Sequence, residues 1–225
     1  ALADWLCSTF WQNDSLLRIH RNGETKIHGF LEDYACLCDG LLSLHRAYPN
    51  PKYLVMANAL LTKAIELFYD PQTQQMAFTP KNGEALIVRK SDLNDDVIAS
   101  PNSILAHCLF QVGMLQSNQE FIQLANTLLL QVSSPMIQSP GWYFNWSRLA
   151  QSITLGGCHI KIDGGNRQNL KPLYQHLPSW TTLEYNENNA EMQIMVCCNN
   201  TCFPPVNTMA QALEIAIDCC ALSEV

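Results

Sequence analysis

The sequence predicts a mainly α-helical protein in which antiparallel helix pairs fill residues 1–154 and a small α/β module follows over 155–225. Three observations carry this reading. Apolar side chains recur at helical spacing in six segments before residue 154. The links between those segments alternate between short turns and long loops, as in stacked helical hairpins. Beyond residue 155 the pattern switches to the two-residue alternation of strands, with one last helical stretch at the end. The chain's 225 residues suffice for one large domain with a small module attached.

The first helix covers residues 1–11, with Leu2, Trp5, Leu6 and Phe10 on one face. The opening Ala1-Leu2-Ala3-Asp4-Trp5 lacks the charged start of a signal peptide. It reads as the middle of an amphipathic helix, so the chain is expected to belong to something longer. The second helix runs from about Phe30 to Ala47. It is apolar around most of its circumference, with one polar stripe of Glu32, Cys36, Asp39, Ser43 and Arg46. Such a helix is buried, inside a layered or toroidal arrangement. The third begins at Pro51, with Asn50 as its cap and proline at the first helical position, and ends near Phe68. Its outer face carries Lys52, Thr62, Lys63 and Glu66. The fourth starts in the same way, with Ser100 as cap and Pro101 first, and reaches about Leu115. The fifth spans about Asn118 to Val132, and the sixth about Trp142 to Ile153.

A Tyr48-Pro49-Asn50 turn joins helices two and three, and a short link near Ser117 joins four and five. The links at 12–29 and 69–99 are long. They contain strand-like stretches at Leu16 to His20, Met76 to Thr79 and Leu86 to Arg89. Long loops in a compact domain are commonly functional, so the elaborated face they share is the place to look for a site. In the module, Cys158 to Ile162, Leu183 to Tyr185 and Glu191 to Cys197 read as strands. Leu170 to His176 and Thr208 to Ala221 read as helices, and Asn188-Asn189 suits a hairpin turn.

Charged residues make up only 15% of the chain against 48% apolar ones, so much of its surface must be buried. A net charge of −7 and the lack of any Lys/Arg run exclude general nucleic-acid affinity. No apolar stretch reaches membrane-spanning length. Ten cysteines, several in apolar helical stretches, behave as small hydrophobes. Their spacing is not that of a disulfide framework, so a reducing, cytoplasmic setting is expected. The glycosylation-type triplets at Asn13, Asn145 and Asn199 are then coincidental.

Three segments together resemble one family. Gly29-Phe30-Leu31-Glu32-Asp33-Tyr34-Ala35 is similar to a "GFLEDYA" signature, and Asp95 to Ser103 to a "DGAIPSGNS" segment. Cys197 to Val206 fits a "C-x-N-x-x-C-x-x-P-V" ending. Leu86-Ile87-Val88-Arg89-Lys90 precedes the second segment in the expected place. Asp96, Ala99 and Pro101 depart from the pattern, replacing its Gly, Pro and Gly. The family is that of spermatogenesis-associated, thioredoxin-domain-bearing proteins, and the likeness extends over essentially the whole chain. It implies a thioredoxin-like domain ahead of this chain. It also implies an (α/α)6 toroid, similar to sugar epimerases and six-hairpin glycosidases, of which this chain is the later part. The remainder of the parent chain and a carbohydrate are then the expected partners, with a non-catalytic scaffold that supports the thioredoxin-like domain or a protein partner as the alternative. The reaction itself is not implied, because fold likeness is a weak guide to chemistry.

Asp33 is the first candidate catalytic residue. It shares a helix face with Phe30, Leu37, Gly40 and Leu44, where an apolar residue is expected, and a carboxylate facing a cavity can serve as acid or base. Equally, a carboxylate in a helix's first turn serves the dipole and caps free amides. Asp95 is its expected partner across a cleft, since glycoside hydrolysis needs two carboxylates. Glu32, Tyr34, Arg89, Ser100, Asn102 and Ser103 are the expected substrate-binding residues. The last three sit at a helix start whose free amides can hold a hydroxyl or an anion. His20 and His28 could serve as bases but lie on no predicted inner helix, and Trp142, Tyr143 and Trp146 suit a helix face in the core, with stacking on a sugar as the alternative. Cys197 and Cys202 lack the second pair that zinc requires and read as a structural thiol pair, with a redox disulfide as the alternative. No metal or cofactor is expected.

Overall fold

The structure is a computed structural model. It describes residues 2–83, 89–154, 157–166, 170, 173, 176–177, 181–187, 191–198 and 201–221. The fold is mainly α with a small α/β part.

Helix α1 (Leu2–Phe10) leads into a three-stranded ribbon of β1 (Trp11–Gln12), β2 (Ser15–Arg21) and β3 (Glu24–His28). Its turns are the residue pairs Asn13-Asp14 and Asn22-Gly23, all four at positive φ. They link the registered pairs Gln12↔Ser15 and Arg21↔Glu24. Two left-handed residues match the twist of a tight hairpin, and Asn, Asp and Gly tolerate them best.

Helices α2 (Leu31–Ala47) and α3 (Pro51–Phe68) form one antiparallel pair, and α4 (Pro101–Gln116) and α5 (Gln119–Gln138) the next. The caps are chemical as well as positional. The Asn50 side chain accepts from Lys52 N at 3.1 Å, Ser100 Oγ from Ser103 N at 3.2 Å, and Asn118 Oδ1 from Glu120 N at 3.0 Å. The close approach of α4 to α5 requires Gly113, where a Cβ would meet Ile122 Cγ1 at 2.6 Å. Helix α4 packs among α2, α3, α5 and α6 (Phe144–Thr154). Helix α2 lies between α3 and α4, with its apolar flanks buried and Cys36, Asp39 and Ser43 of its polar stripe exposed.

Three boundaries differ from expectation. Helix α5 continues through Pro135 to Gln138 instead of stopping at Val132. Proline forfeits one backbone bond, but Met136 packs on the core and Ser139 N closes the end on Pro135 O at 2.9 Å. The sixth helix starts at Phe144, because Pro140–Trp142 forms a separate 3-10 turn. The ribbon expected at Met76 to Thr79 shrinks to β4 (Tyr69–Asp70) against β5 (Gln75–Met76). Phe78 instead receives Leu31 N on its carbonyl and donates to Lys90 O, tying the second long link to α2. In the stretch expected at Leu86 to Arg89, residues 86–88 lie outside those described, and Arg89 is in no strand.

The last part is a four-stranded sheet in the order β7-β6-β8-β9. Strand β6 (Cys158–Asp163) is central, parallel to β7 (Thr181–Asn186) and antiparallel to β8 (Gln193–Cys198). A short β9 (Thr201–Cys202) flanks β8, on which α7 (Met209–Ala221) packs. Strands β7 and β8 lie on opposite sides of β6, so they are not the two arms of a hairpin. Asn188 and Asn189 themselves lie outside the described residues. Of the helix expected over Leu170 to His176, only Leu170, Leu173 and His176 are described, and the two leucines are buried. The apolar core falls into two clusters, one from Leu16 to Leu149 and one from Cys158 to Cys219.

Candidate functional site

A large open cleft of about 1340 Å³ lies where α1, β2, the start of α2 and the end of the second long link meet. Its floor is the helical face that starts at Asp33 and continues through Leu37, Gly40 and Leu44. Leu6 and Phe10 of α1 and Ile104 of α4 face it. Its polar border is Arg18, Glu32 and Asp33 on one side and Lys90, Asp92, Asn94 and Asp96 on the other. Four carboxylates thus stand against two cations.

Asp33 is held from two directions. Its Oδ2 accepts from Phe30 N at 2.8 Å, the reciprocal half of a capping box that phenylalanine cannot complete. Arg18 Nε lies 3.6 Å from the same oxygen, while Arg18 donates to Glu32 Oε1 at 3.1 Å and stacks over Phe30 at 4.5 Å. Arg18 therefore links two of the cleft's acids. The rest of the Gly29 to Ala35 segment fastens the ribbon to α2. Gly29 N donates to Leu16 O at 2.7 Å, and a Cβ at Gly29 would stand 3.1 Å from that carbonyl and 3.3 Å from the Tyr34 ring. Tyr34 is fully buried, its hydroxyl accepts from Leu16 N at 2.9 Å, and its ring packs on Trp11 and Phe68. It is a clamp in the core and does not line the cleft.

Asp95 departs from expectation. It is 3% exposed, and its two oxygens accept from four donors. Ser100 N at 2.9 Å and Ser103 Oγ at 2.8 Å reach Oδ1; Asn145 N at 2.8 Å and Trp146 N at 3.3 Å reach Oδ2. One carboxylate thus serves the free amides at the starts of both α4 and α6, where the helix dipoles favour negative charge. It is absent from the cleft lining, so Asp33 and Asp95 do not form the expected pair.

Asn102 and Ser103 belong to the same buried support. Asn102 accepts from Met76 N and donates to Met76 O and Asp92 O at 2.9–3.0 Å. Ser103 Oγ also lies 2.9 Å from Ser100 O, which shares its one proton with Asp95, and it accepts from Asn145 Nδ2. Arg89 is spent on backbone carbonyls, those of Thr79 and Leu67. Of the expected binding residues, Glu32 and Ser100 line the cleft, while Tyr34, Arg89, Asn102 and Ser103 do not. Asn145 is buried within this network, which excludes it as a folded-state glycosylation site. Trp146 is buried and donates to Leu93 O at 2.8 Å, whereas Trp142 is half-exposed. His20 and His28 bond Thr25 and Ser15 on the ribbon, away from the cleft.

Arg18, Lys90, Asp92 and Asn94 were not singled out by sequence. They come from two separate links, and only tertiary packing brings them to one border. Cys36 also lines the cleft, but partial desolvation by its neighbours, with Asp39, Glu32 and Asp33 nearby, raises its thiol pKa, which opposes a nucleophilic role. Cys197 and Cys202 are joined in a disulfide instead of standing as free thiols. Among the described residues, no group of three or more His, Cys, Asp or Glu is placed to hold a metal, and no helix is long and apolar enough to cross a membrane.

No family model matches the chain. It is 31% identical over 113 residues to spermatogenesis-associated protein 20 of mouse and, equally, to that of human. The aligned part is 50% of this chain and 14% of each relative. This distant likeness supports kinship with that family.

Proposed function

We propose that this chain is part of an (α/α)6 toroid whose cleft binds a carbohydrate-type ligand and, if it acts on it, does so through carboxylates from the start of α2 and the end of the second long link. The observation that carries this reading is the cleft itself. Its border draws Glu32 and Asp33 from the first turn of α2 and Asp92 and Asp96 from the end of the second long link. Carboxylates and an amide such as Asn94 are acceptors and donors suited to sugar hydroxyls, and apolar walls such as Phe10 and Tyr53 suit the faces of a ring. Paired hairpins α2/α3 and α4/α5 are the unit from which such a toroid repeats. The catalytic partner of Asp33 is then Asp92 or Asp96, with Asp95 as support. A cytoplasmic location belongs to the same proposal. The free thiols Cys7, Cys36, Cys38 and Cys108 support it, and the Cys197–Cys202 disulfide is the feature it must accommodate.

The test is a titration of neutral mono- and oligosaccharides followed by NMR. Shifts are expected at Asp33, Leu37 and Asn94, and they should vanish in Asp33→Asn. A panel that moves none of these signals at millimolar concentration would sink the reading. A second reading has its own observation. Leu2, Val97 and Ile98 line the same cleft while being 69%, 94% and 73% exposed, and such apolar patches mark interfaces. In that reading the cleft seats the thioredoxin-like domain of the parent chain. Adding that domain, made separately, should then protect α1 and residues 96–99 from hydrogen exchange. Unchanged exchange there would count against it.

A further inference from the structure

We propose that Cys158 and Cys198 are a redox-active dithiol, closed to a disulfide by a small peroxide and reopened by a dithiol reductant. The two residues are register partners across β6 and β8. Opposed residues in an antiparallel pair have Cα atoms about 4.5–5.5 Å apart, within the span that a disulfide bridges. Their sulfurs are 3.0 Å apart, about 1 Å beyond a disulfide bond and closer than unbonded sulfurs ordinarily rest. Both are buried, at 2% and 5% exposure, among Ile160, Val196 and Ala216.

The neighbouring sulfurs make the site distinctive. Cys219 of α7 is in hydrogen-bonding contact with Cys198, so a third buried thiol adjoins the pair. Cys197, the next residue on β8, is bonded to Cys202. Successive strand residues point to opposite faces, so the existing disulfide and the dithiol lie back to back. The facing Cys158 sulfur and burial hold Cys198 in its protonated form, which slows its attack on any oxidant, so it is the apposition of the two sulfurs that favours closure.

The chemistry balances. A thiol sulfur attacks one peroxide oxygen, breaking the O–O bond; the sulfur becomes a sulfenic acid and the other oxygen leaves as water. The facing thiol then attacks that sulfur, displaces its oxygen and yields a second water. Two thiols and one hydrogen peroxide become one disulfide and two waters. A dithiol reductant reverses the bond by two exchanges and is itself oxidised to its cyclic disulfide. The bond would tie the central strand, which follows α6, to its neighbour β8.

The experiment treats the full chain with stoichiometric hydrogen peroxide, alkylates it under denaturing conditions and maps linked peptides by mass spectrometry. The expected result is a Cys158–Cys198 link, additional to Cys197–Cys202, that disappears after dithiothreitol. Cys219→Ser should form the same link. Recovery of Cys158 and Cys198 as alkylated thiols, or a link from Cys198 to Cys219 with Cys158 free, would overturn the proposal. Cys158→Ala provides a second arm, in which Cys198 should stay alkylatable at the same dose. The wild-type map stands if that variant fails to fold.

Discussion

Asp33 and Asp95 are both conspicuous aspartates at the end of a long link and the start of a helix, yet they do opposite work. Asp95 is buried, and its four donors come from two helix starts and a serine. Asp33 keeps 24% of its side chain exposed at the border of a large cleft, held by one amide and one arginine. The difference lies in what packs around each. Asp95 is enclosed because α6 is laid across it from the far side, while nothing among the described residues covers Asp33 in the same way. An isolated carboxylate cannot stay charged in the core, so Asp95 is tolerated there only because every lone pair has a donor.

This contrast can be broken by substitution. The largest effect is expected for Asp95→Ala. It strands buried amides at Ser100, Asn145 and Trp146, and with each such group costing about 1–3 kcal/mol, a loss of at least about 3 kcal/mol is expected in urea unfolding. A loss below 1 kcal/mol would show that the carboxylate is not the joint between α4 and α6. Asn102→Ala comes next, at about 2–3 kcal/mol, since it frees both Met76 backbone groups. Tyr34→Phe removes one acceptor from a buried amide and should cost about 1–2 kcal/mol by the same measurement. Asp33→Asn should move stability by less than about 1 kcal/mol, because its partnership with Arg18 is partly solvated, while abolishing any saccharide signal. If it unfolds the protein instead, the two aspartates are alike after all.

The smallest expected effect is a pH dependence shared by three histidines. Burial lowers the pKa of His45, His107 and His159 in the folded state. The unfolded chain protonates these rings near the ordinary value of about 6.5, before the folded chain does. Their contribution is therefore complete above that pH and is lost as pH falls towards their folded values. The unfolding midpoint should decline between pH 7 and 5.5. His107→Gln, whose amide can still meet Asn145 O, should flatten that decline; an unchanged slope would remove His107 from the set.

Much of the architecture was legible because it rests on local rules. Asn50 and Ser100 announced helix starts through side chains that reach their own first-turn amides. The face running from Asp33 through Leu37, Gly40 and Leu44 could be read from spacing alone, and it is the floor of the cleft. The order of strands could not. Strand β6 lies between β7 and β8 because pairing is decided by which edges meet, and the sequence between the strands carries no mark of that. Helix α5 outran its proline because Met136 finds the core on the far side.

The sequence by itself determined the helices, their caps, the two long links and the residues that stand out at their ends, since each depends on neighbours a few positions away. Tertiary structure alone decided which of those residues support the fold and which face the cleft. Arg18 reaches Glu32 and Asp33 across more than ten residues, and Asp95 reaches Asn145 and Trp146 across about fifty. Burial and hydrogen bonding over such separations fix a side chain's role, and no local pattern encodes them.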